Sequence, residues 1–119
     1  MKRPKFTQTL ADTLLAGKHV NLISPHGRGR RQTLIDLISL LDDVQVAKID
    51  LKREQKQWQT WFEKTLRLNG QVIVILHNIE YIKQYHKQAL NALKKFTLLC
   101  VSERPLQDEG WVSIELPNQ

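Results

Sequence analysis

A single cysteine, Cys100, is all the thiol chemistry in the 119 residues, so an internal disulfide is excluded, and no Cys/His spacing suits a structural zinc. A reducing, cytoplasmic setting is the expectation that follows. Long apolar runs are also missing: the longest extends only from Val72 to Leu76, far short of a membrane span. The basic start, Met1 to Lys5, leads into a polar amphipathic stretch, so neither secretion nor a membrane partner is expected. Internal repeats, linkers and low-complexity segments are absent, and the length suits one domain, 1–119, rather than two. With 41% hydrophobic and 25% charged residues, the composition excludes a disordered or collagen-like chain. Acidic residues are the scarcer sign: 12 Asp and Glu against 18 Lys and Arg leave a net charge of +6, a surplus that favours phosphate-bearing partners.

What is present alternates between helix and strand. Phe6, Leu10, Ala11, Leu14 and Leu15 recur at helical spacing and Gly17 supplies a left-handed stop, which predicts a helix over 6–16. A short strand, HVNLIS (19–24), is followed by the glycine-containing loop PHGRGRR and by apolar positions 34, 37, 38 and 41 at helical period. Val44–Leu51 reads as a second strand. Arg53–Leu68 reads as a helix with Trp58, Trp61, Phe62, Thr65 and Leu66 inward, ended by Asn69-Gly70. QVIVIL (71–76) has no alternation, so both its faces are covered. Glu80–Lys95 reads as a third long amphipathic helix with Tyr81, Ile82, Tyr85, Ala89, Ala92 and Leu93 inward. FTLLCV (96–101) is another continuous strand, and WVSIEL (111–116) alternates as an edge strand does. Strands alternating with helices imply crossovers, hence an α/β fold: a three-layer αβα sandwich around a five-stranded, mostly parallel sheet.

In such a sheet ligands bind beyond the carboxyl ends of the strands, which directs attention to the loop after the first strand. A phosphate loop needs glycines that let backbone amides approach an anion, a helix amino terminus behind them, a lysine for the terminal phosphates and a hydroxyl for magnesium. SPHGRGRR, residues 24–31, lies over GxxxxGK followed by Ser or Thr, with Gly29 at the second glycine. Ser24 stands at the first glycine, Arg30 at the lysine and Arg31 at the magnesium-binding hydroxyl.

The succession helix, strand, PHGRG, apolar helix resembles the P-loop NTPase core of AAA-type and STAND-type ATPases, and the resemblance covers nearly the whole chain. It implies a sheet order of fifth, first, fourth, third, second strand. It also implies a Walker B strand ending in Asp then Glu, for magnesium and for the attacking water. His77 and Asn78 occupy that place after QVIVIL, and Ser102 after FTLLCV matches the polar sensor at the next strand tip. With the chain ending just after the fifth strand, the helical lid of such ATPases is not expected, nor is a partner-facing arginine finger.

Arg31, His77 and Asn78 all depart from the metal and water positions. Arginine has no oxygen for magnesium, His77 offers that hard ion a poor ligand, and Asn78 is no general base. The expectation is a protein without a metal site and with absent or very slow hydrolysis. It would act as a regulator or adaptor that binds ATP or ADP, if at all, without magnesium. The candidate phosphate-binding residues are Ser24, His26, Gly27, Arg28, Gly29, Arg30, Arg31 and Gln32, because arginines at a helix start pair bidentately with phosphate. The plainer alternative leaves the arginines solvated around an ancestral turn.

His26 adds to an anion site or is merely exposed, and His77 is a ligand or a hydrogen-bonded plug. Glu80 is a displaced carboxylate or a first-turn residue that suits the helix dipole. Lys83, Lys87 and Lys94 form a basic helix face that tracks a phosphate backbone or is simply solvated. Trp58, Trp61 and Phe62 read as core, Cys100 as a small buried hydrophobe, and Ser102 as a sensor or a strand end. A protein partner or a nucleic acid is therefore expected. The competing readings are a small basic nucleic-acid-binding protein and an ATPase completed by a partner's carboxylate.

Overall fold

The computed structural model describes residues 4–25, 29–82, 86–106 and 111–117. Helix α1 (Pro4–Leu15) leads into β1 (Val20–Ile23), then α2 (Arg30–Ser39), β2 (Gln45–Asp50), α3 (Trp58–Leu66), β3 (Val72–His77), α4 (His86–Leu93), β4 (Thr97–Ser102) and β5 (Val112–Glu115). Gly17, at φ 83°, adopts the left-handed conformation expected of a helix stop; Gly70 is left-handed too, at φ 85°, but α3 ends before it at Leu66, with Arg67 as a right-handed cap. All five strands are parallel, in the order β2-β3-β4-β1-β5, which is the order the resemblance implies.

The covering of both sheet faces follows from strand periodicity. On one face Val20, Leu22, Ile73, Ile75, Leu99 and Val101 pack with Leu10 and Leu14 of α1 and Leu34 and Leu37 of α2. On the other, Val72, Val74, Leu76, Leu98 and Cys100 pack with Trp58 of α3 and Leu93 of α4. Trp58 stacks on Phe62 with ring centroids 5.6 Å apart, so these aromatics are core. Cys100 is fully buried, as expected of a small hydrophobe in a two-faced strand. No helix among the described residues is long and apolar enough to cross a membrane.

Three helical expectations need correction. Leu15 is 42% exposed, because the residue after Leu14 is turned about 100° round the helix from the buried stripe. The helix expected from Arg53 begins only at Trp58, after a 3-10 turn at Gln55–Gln57. The Asp50 side chain accepts the amides of Lys52 and Arg53, and the Asp50 carbonyl accepts that of Glu54, so these residues are committed to a turn. The helix expected from Glu80 is likewise a 3-10 turn, Ile79–Tyr81, followed by Ile82 in extended conformation, with α4 starting at His86. Ile79 and Ile82 both join the core there, which a 3-10 turn achieves with a three-residue spacing. Tyr81 and Ala92, expected inward, are exposed. Tyr85 and Lys83 lie outside the described residues.

Candidate functional site

Parallel strands end on one edge of the sheet, and there the tips of β1, β2 and β3 meet the start of α2. Gly29, at φ 76° and ψ 32°, is the left-handed residue that precedes α2. Its conformation turns Arg30, the first residue of the helix, back across the strand ends. The Arg30 guanidinium donates from Nη2 to the Ser24 carbonyl at 2.5 Å and from Nη1 to Asn78 Oδ1 at 2.9 Å, and Nη1 lies 3.3 Å from His77 Nε2. Guanidinium has no lone pair to offer, so His77 Nε2 is the acceptor and the imidazole proton sits on Nδ1. That Nδ1 faces Asp50 Oδ2 at 3.7 Å. Asn78 completes the chain, donating from Nδ2 to Asp50 Oδ1 at 2.7 Å.

Asn78 is held at φ 60° and ψ 50°, a left-handed conformation that asparagine tolerates better than most residues. It lets the β3 tip turn sharply and present its amide to Arg30 on one side and Asp50 on the other. Asp50 and His77 are register partners of β2 and β3, which is why they face one another. Burial works against ionisation of Asp50, but Asn78, the Lys52 and Arg53 amides and the His77 ring together hold its carboxyl below the ordinary value of 3.8. Burial lowers His77 below 6.5; Asp50 opposes that shift, while Arg30, Lys48 and Arg53 reinforce it.

Both shifts make the site acid-labile, and the signs can be followed. Unfolded His77 takes up a proton more readily than folded His77, so stability is full above about pH 6.5 and declines as pH falls from there to the folded value. Asp50 adds a second loss as pH falls through the ordinary carboxylate value of 3.8 toward its lower folded one. Chemical denaturation of wild type and His77→Gln at pH 7.5, 6.5 and 5.5 checks this. The variant is expected to lose distinctly less stability across that range, and equal slopes would contradict the assignment.

Above the network lies a cleft of about 490 Å³, a volume within the range of small-molecule sites. Five cations line it: Arg30 and Arg31 from α2, Lys48 from β2, and Lys52 and Arg53 from the turn after β2. Asp50, Glu54 and Glu103 contribute negative charge. Asp50 is spent on the bonds above, and Glu54 Oε1 accepts the Asp50 amide at 3.2 Å.

The expected site residues divide on this geometry. Ser24, Arg30, His77 and Asn78 come together, and Arg31 lines the cleft. Ser24 is fully buried and its Oγ lacks a hydrogen-bond partner among the described residues. Gln32 turns away, donating to Asp36 Oδ1 at 2.8 Å along the exposed side of α2. His26, Gly27 and Arg28 lie outside the described residues. Ser102, expected at a sensor position, is buried behind the site: its hydroxyl accepts from Asn21 Nδ2 at 2.9 Å and donates to the Arg104 carbonyl at 2.6 Å. Glu80 accepts the Glu103 amide and ties the β3 and β4 tips together, so it acts as a structural brace. Lys87 is exposed and Lys94 half-buried, and neither lines the cleft. With α4 shortened to His86–Leu93, Lys94 falls beyond the helix, and the expected basic face is not a single helix stripe.

Asp50, Lys48, Lys52 and Arg53 were not singled out in the sequence. The signal was available, because the expected strand order puts the second strand beside the third, so the residues ending the two strands are neighbours.

Magnesium does not fit this donor set. A guanidinium stands against the His77 and Asn78 positions, the nearby carboxylate is engaged by three N–H donors, and among the described residues no three His, Cys, Asp or Glu side chains converge.

No protein-family model matches the chain, and no curated protein matches it in sequence. Solved structures do match in fold. One is DnaA from Aquifex aeolicus bound to AMPPCP, with a TM-score of 0.61 and 10% identity, over 94% of this chain and 44% of that one. The chain thus spans less than half the length of that structure. The likeness shows the fold, a parallel α/β sheet with flanking helices like that of the Aquifex DnaA structure.

Proposed function

We propose that this chain is a non-hydrolysing P-loop-like module, a regulator or adaptor that binds a nucleotide or another phosphate group without magnesium. The observation that carries the reading is the Arg30 guanidinium, held by Ser24, Asn78 and His77 where the resemblance would put the metal and the phosphate-binding lysine. A fixed internal cation does part of what magnesium does: it supplies positive charge beside a phosphate. It cannot bridge two phosphate oxygens as an ion with exchangeable ligands does. Arg31 and Lys48 at the cleft then give a phosphate its direct partners.

Hydrolysis needs a base or a positioned carboxylate for water, and Asp50 is a poor one here. Its Oδ1 is engaged by Asn78 and by two backbone amides, and its affinity for a proton is lowered. The AMPPCP held by the Aquifex DnaA structure makes an adenine nucleotide the first ligand to test.

The test is the melting temperature with ATP or ADP, each in magnesium and in chelator, since a ligand that binds only the folded state raises it. At about ten times Kd the rise is expected to be roughly 5 °C, equal in both conditions, with no phosphate released. Arg31→Ala, at an exposed position, is expected to remove most of it. A rise that requires magnesium, or no rise at millimolar nucleotide, would sink the proposal.

A further inference from the structure

Most of the positive charge at the cleft lies on the β2 side, away from the loop after β1. Asp50 Oδ1 accepts the amides of Lys52 at 2.9 Å and Arg53 at 3.4 Å, which folds the turn so that both side chains stand exposed at the cleft mouth. The Lys52 ammonium lies 5.7 Å from the centroid of the Tyr81 ring. Tyr81 belongs to neither core cluster and is 43% exposed, whereas the tryptophans and phenylalanines of the chain are buried or half-buried. The Tyr81 ring, with Lys52 over one face, is thus part-open to solvent beside a cation; Arg53 follows Lys52 in the same turn, Lys48 lies on β2, the strand before that turn, and Arg31 on α2.

From this juxtaposition of Lys52, Arg53 and Tyr81 we infer that the β2 rim binds single-stranded nucleic acid, with phosphodiesters on the cations and an unpaired base on the Tyr81 ring. Stacking on an aromatic needs the face of a base, which a duplex keeps inside its own stack. Cations alone would take either form. The net charge of +6 supplies the long-range attraction. Of the cleft carboxylates, Asp50 and Glu54 are already bonded to backbone amides, which tempers their repulsion of a phosphate. The inference does not rest on nucleotide binding: the Lys52, Arg53 and Tyr81 side chains are not among the partners of Arg30, so failure of the nucleotide test leaves it standing.

The experiment is fluorescence anisotropy of the full chain with labelled 15-nucleotide oligo-dT and oligo-U, and with a duplex of equal length, at several salt concentrations. Single strands are expected to bind more tightly than the duplex. The relative affinity of oligo-dT and oligo-U then tells DNA from RNA as the source of the strand. Lys52→Ala with Arg53→Ala is expected to weaken binding about tenfold and to flatten the salt dependence by roughly 1.4 log units per log unit of salt. Tyr81→Ala is expected to cost about tenfold with the salt dependence unchanged, and Tyr81→Phe to restore it, since the ring stacks and the hydroxyl does not. Lys18→Ala, exposed before β1 at the opposite sheet edge, is expected to change affinity less than twofold. Melting temperatures of the variants check that all are folded. Equal affinity for duplex and single strand, no effect of Tyr81→Ala, equal losses from Lys18→Ala and the double variant, or no binding at 50 mM salt would each overturn the inference.

Discussion

Arg30→Ala is expected to lower the melting temperature by about 10 °C, a loss of roughly 2–3 kcal/mol for a domain of this size. The guanidinium is the shared donor for the Ser24 carbonyl and Asn78 Oδ1 and sits against His77 Nε2. Removing it orphans acceptors from two separate elements. Bonds from a charged donor contribute about 1.5–3 kcal/mol each, and water entering from the open cleft recovers part of the loss. Arg30→Lys is expected to fall between wild type and alanine, because one ammonium cannot span the same acceptors in the plane of a guanidinium. Calorimetry of the three proteins measures this. A wild-type melting temperature for Arg30→Ala would mean that the guanidinium is solvated and that the site is not closed by it.

A loss of similar or larger size is expected from Asn21→Leu, which preserves side-chain bulk in the middle of the sheet. Asn21 is fully buried in β1, and every polar atom of its amide group is used. Nδ2 donates to the Cys100 carbonyl at 3.1 Å and to Ser102 Oγ at 2.9 Å, and Oδ1 accepts the Leu106 amide at 2.9 Å. Leucine leaves these groups facing hydrocarbon, which costs about 3 kcal/mol. The loss should be concentrated after β4, because the bond to Leu106 reels that segment in over β1. Hydrogen exchange at the Leu106 amide is therefore expected to accelerate more than exchange in β3. Uniform acceleration would show that the residue only fills space, and Ser102→Ala, which spares the Leu106 bond, is expected to have the milder effect.

The sheet was legible because its signals are local: a short apolar run rich in Val and Ile behind a turn, such as Val72–Leu76 after Asn69-Gly70, reads as a strand covered on both faces, and the strand order followed from the resemblance. The segment after β3 was misread because amphipathic spacing at Tyr81, Ile82 and Tyr85 mimics a helix, while burial of Ile79 and Ile82 imposes a 3-10 turn and an extended residue. Arg30, His77 and Asn78 were legible as departures from a pattern. Their bonding to one another was not, since it depends on rotamers of residues 47 and 48 positions apart. Asp50 escaped notice because an acidic residue at the end of a half-polar strand looks like an ordinary solvated terminus until strand pairing aligns it with His77. Tyr81 escaped for a related reason, having been assigned to an interior it does not enter.

The order of the strands also fixes the order in which the molecule can assemble. β2, β3 and β4 are neighbours joined by single crossovers, and residues that bond across β2 and β3, such as Asp50 and Asn78, are 28 positions apart. β1 has no early partner: its neighbours are β4, where Asn21 meets Cys100 79 positions along, and β5, which comes last in the chain. Closing such long loops is the slow step in parallel sheets, so β1 waits until most of the polypeptide is available. Arg30 follows the loop after β1, and its side-chain acceptors, His77 and Asn78, sit at the β3 tip. A ribosome-bound chain that has emerged only as far as Asn78 therefore carries the arginine and both of its side-chain acceptors without the paired β1 that brings them together, and the cleft above them, which Glu103 also lines, is completed only after β4.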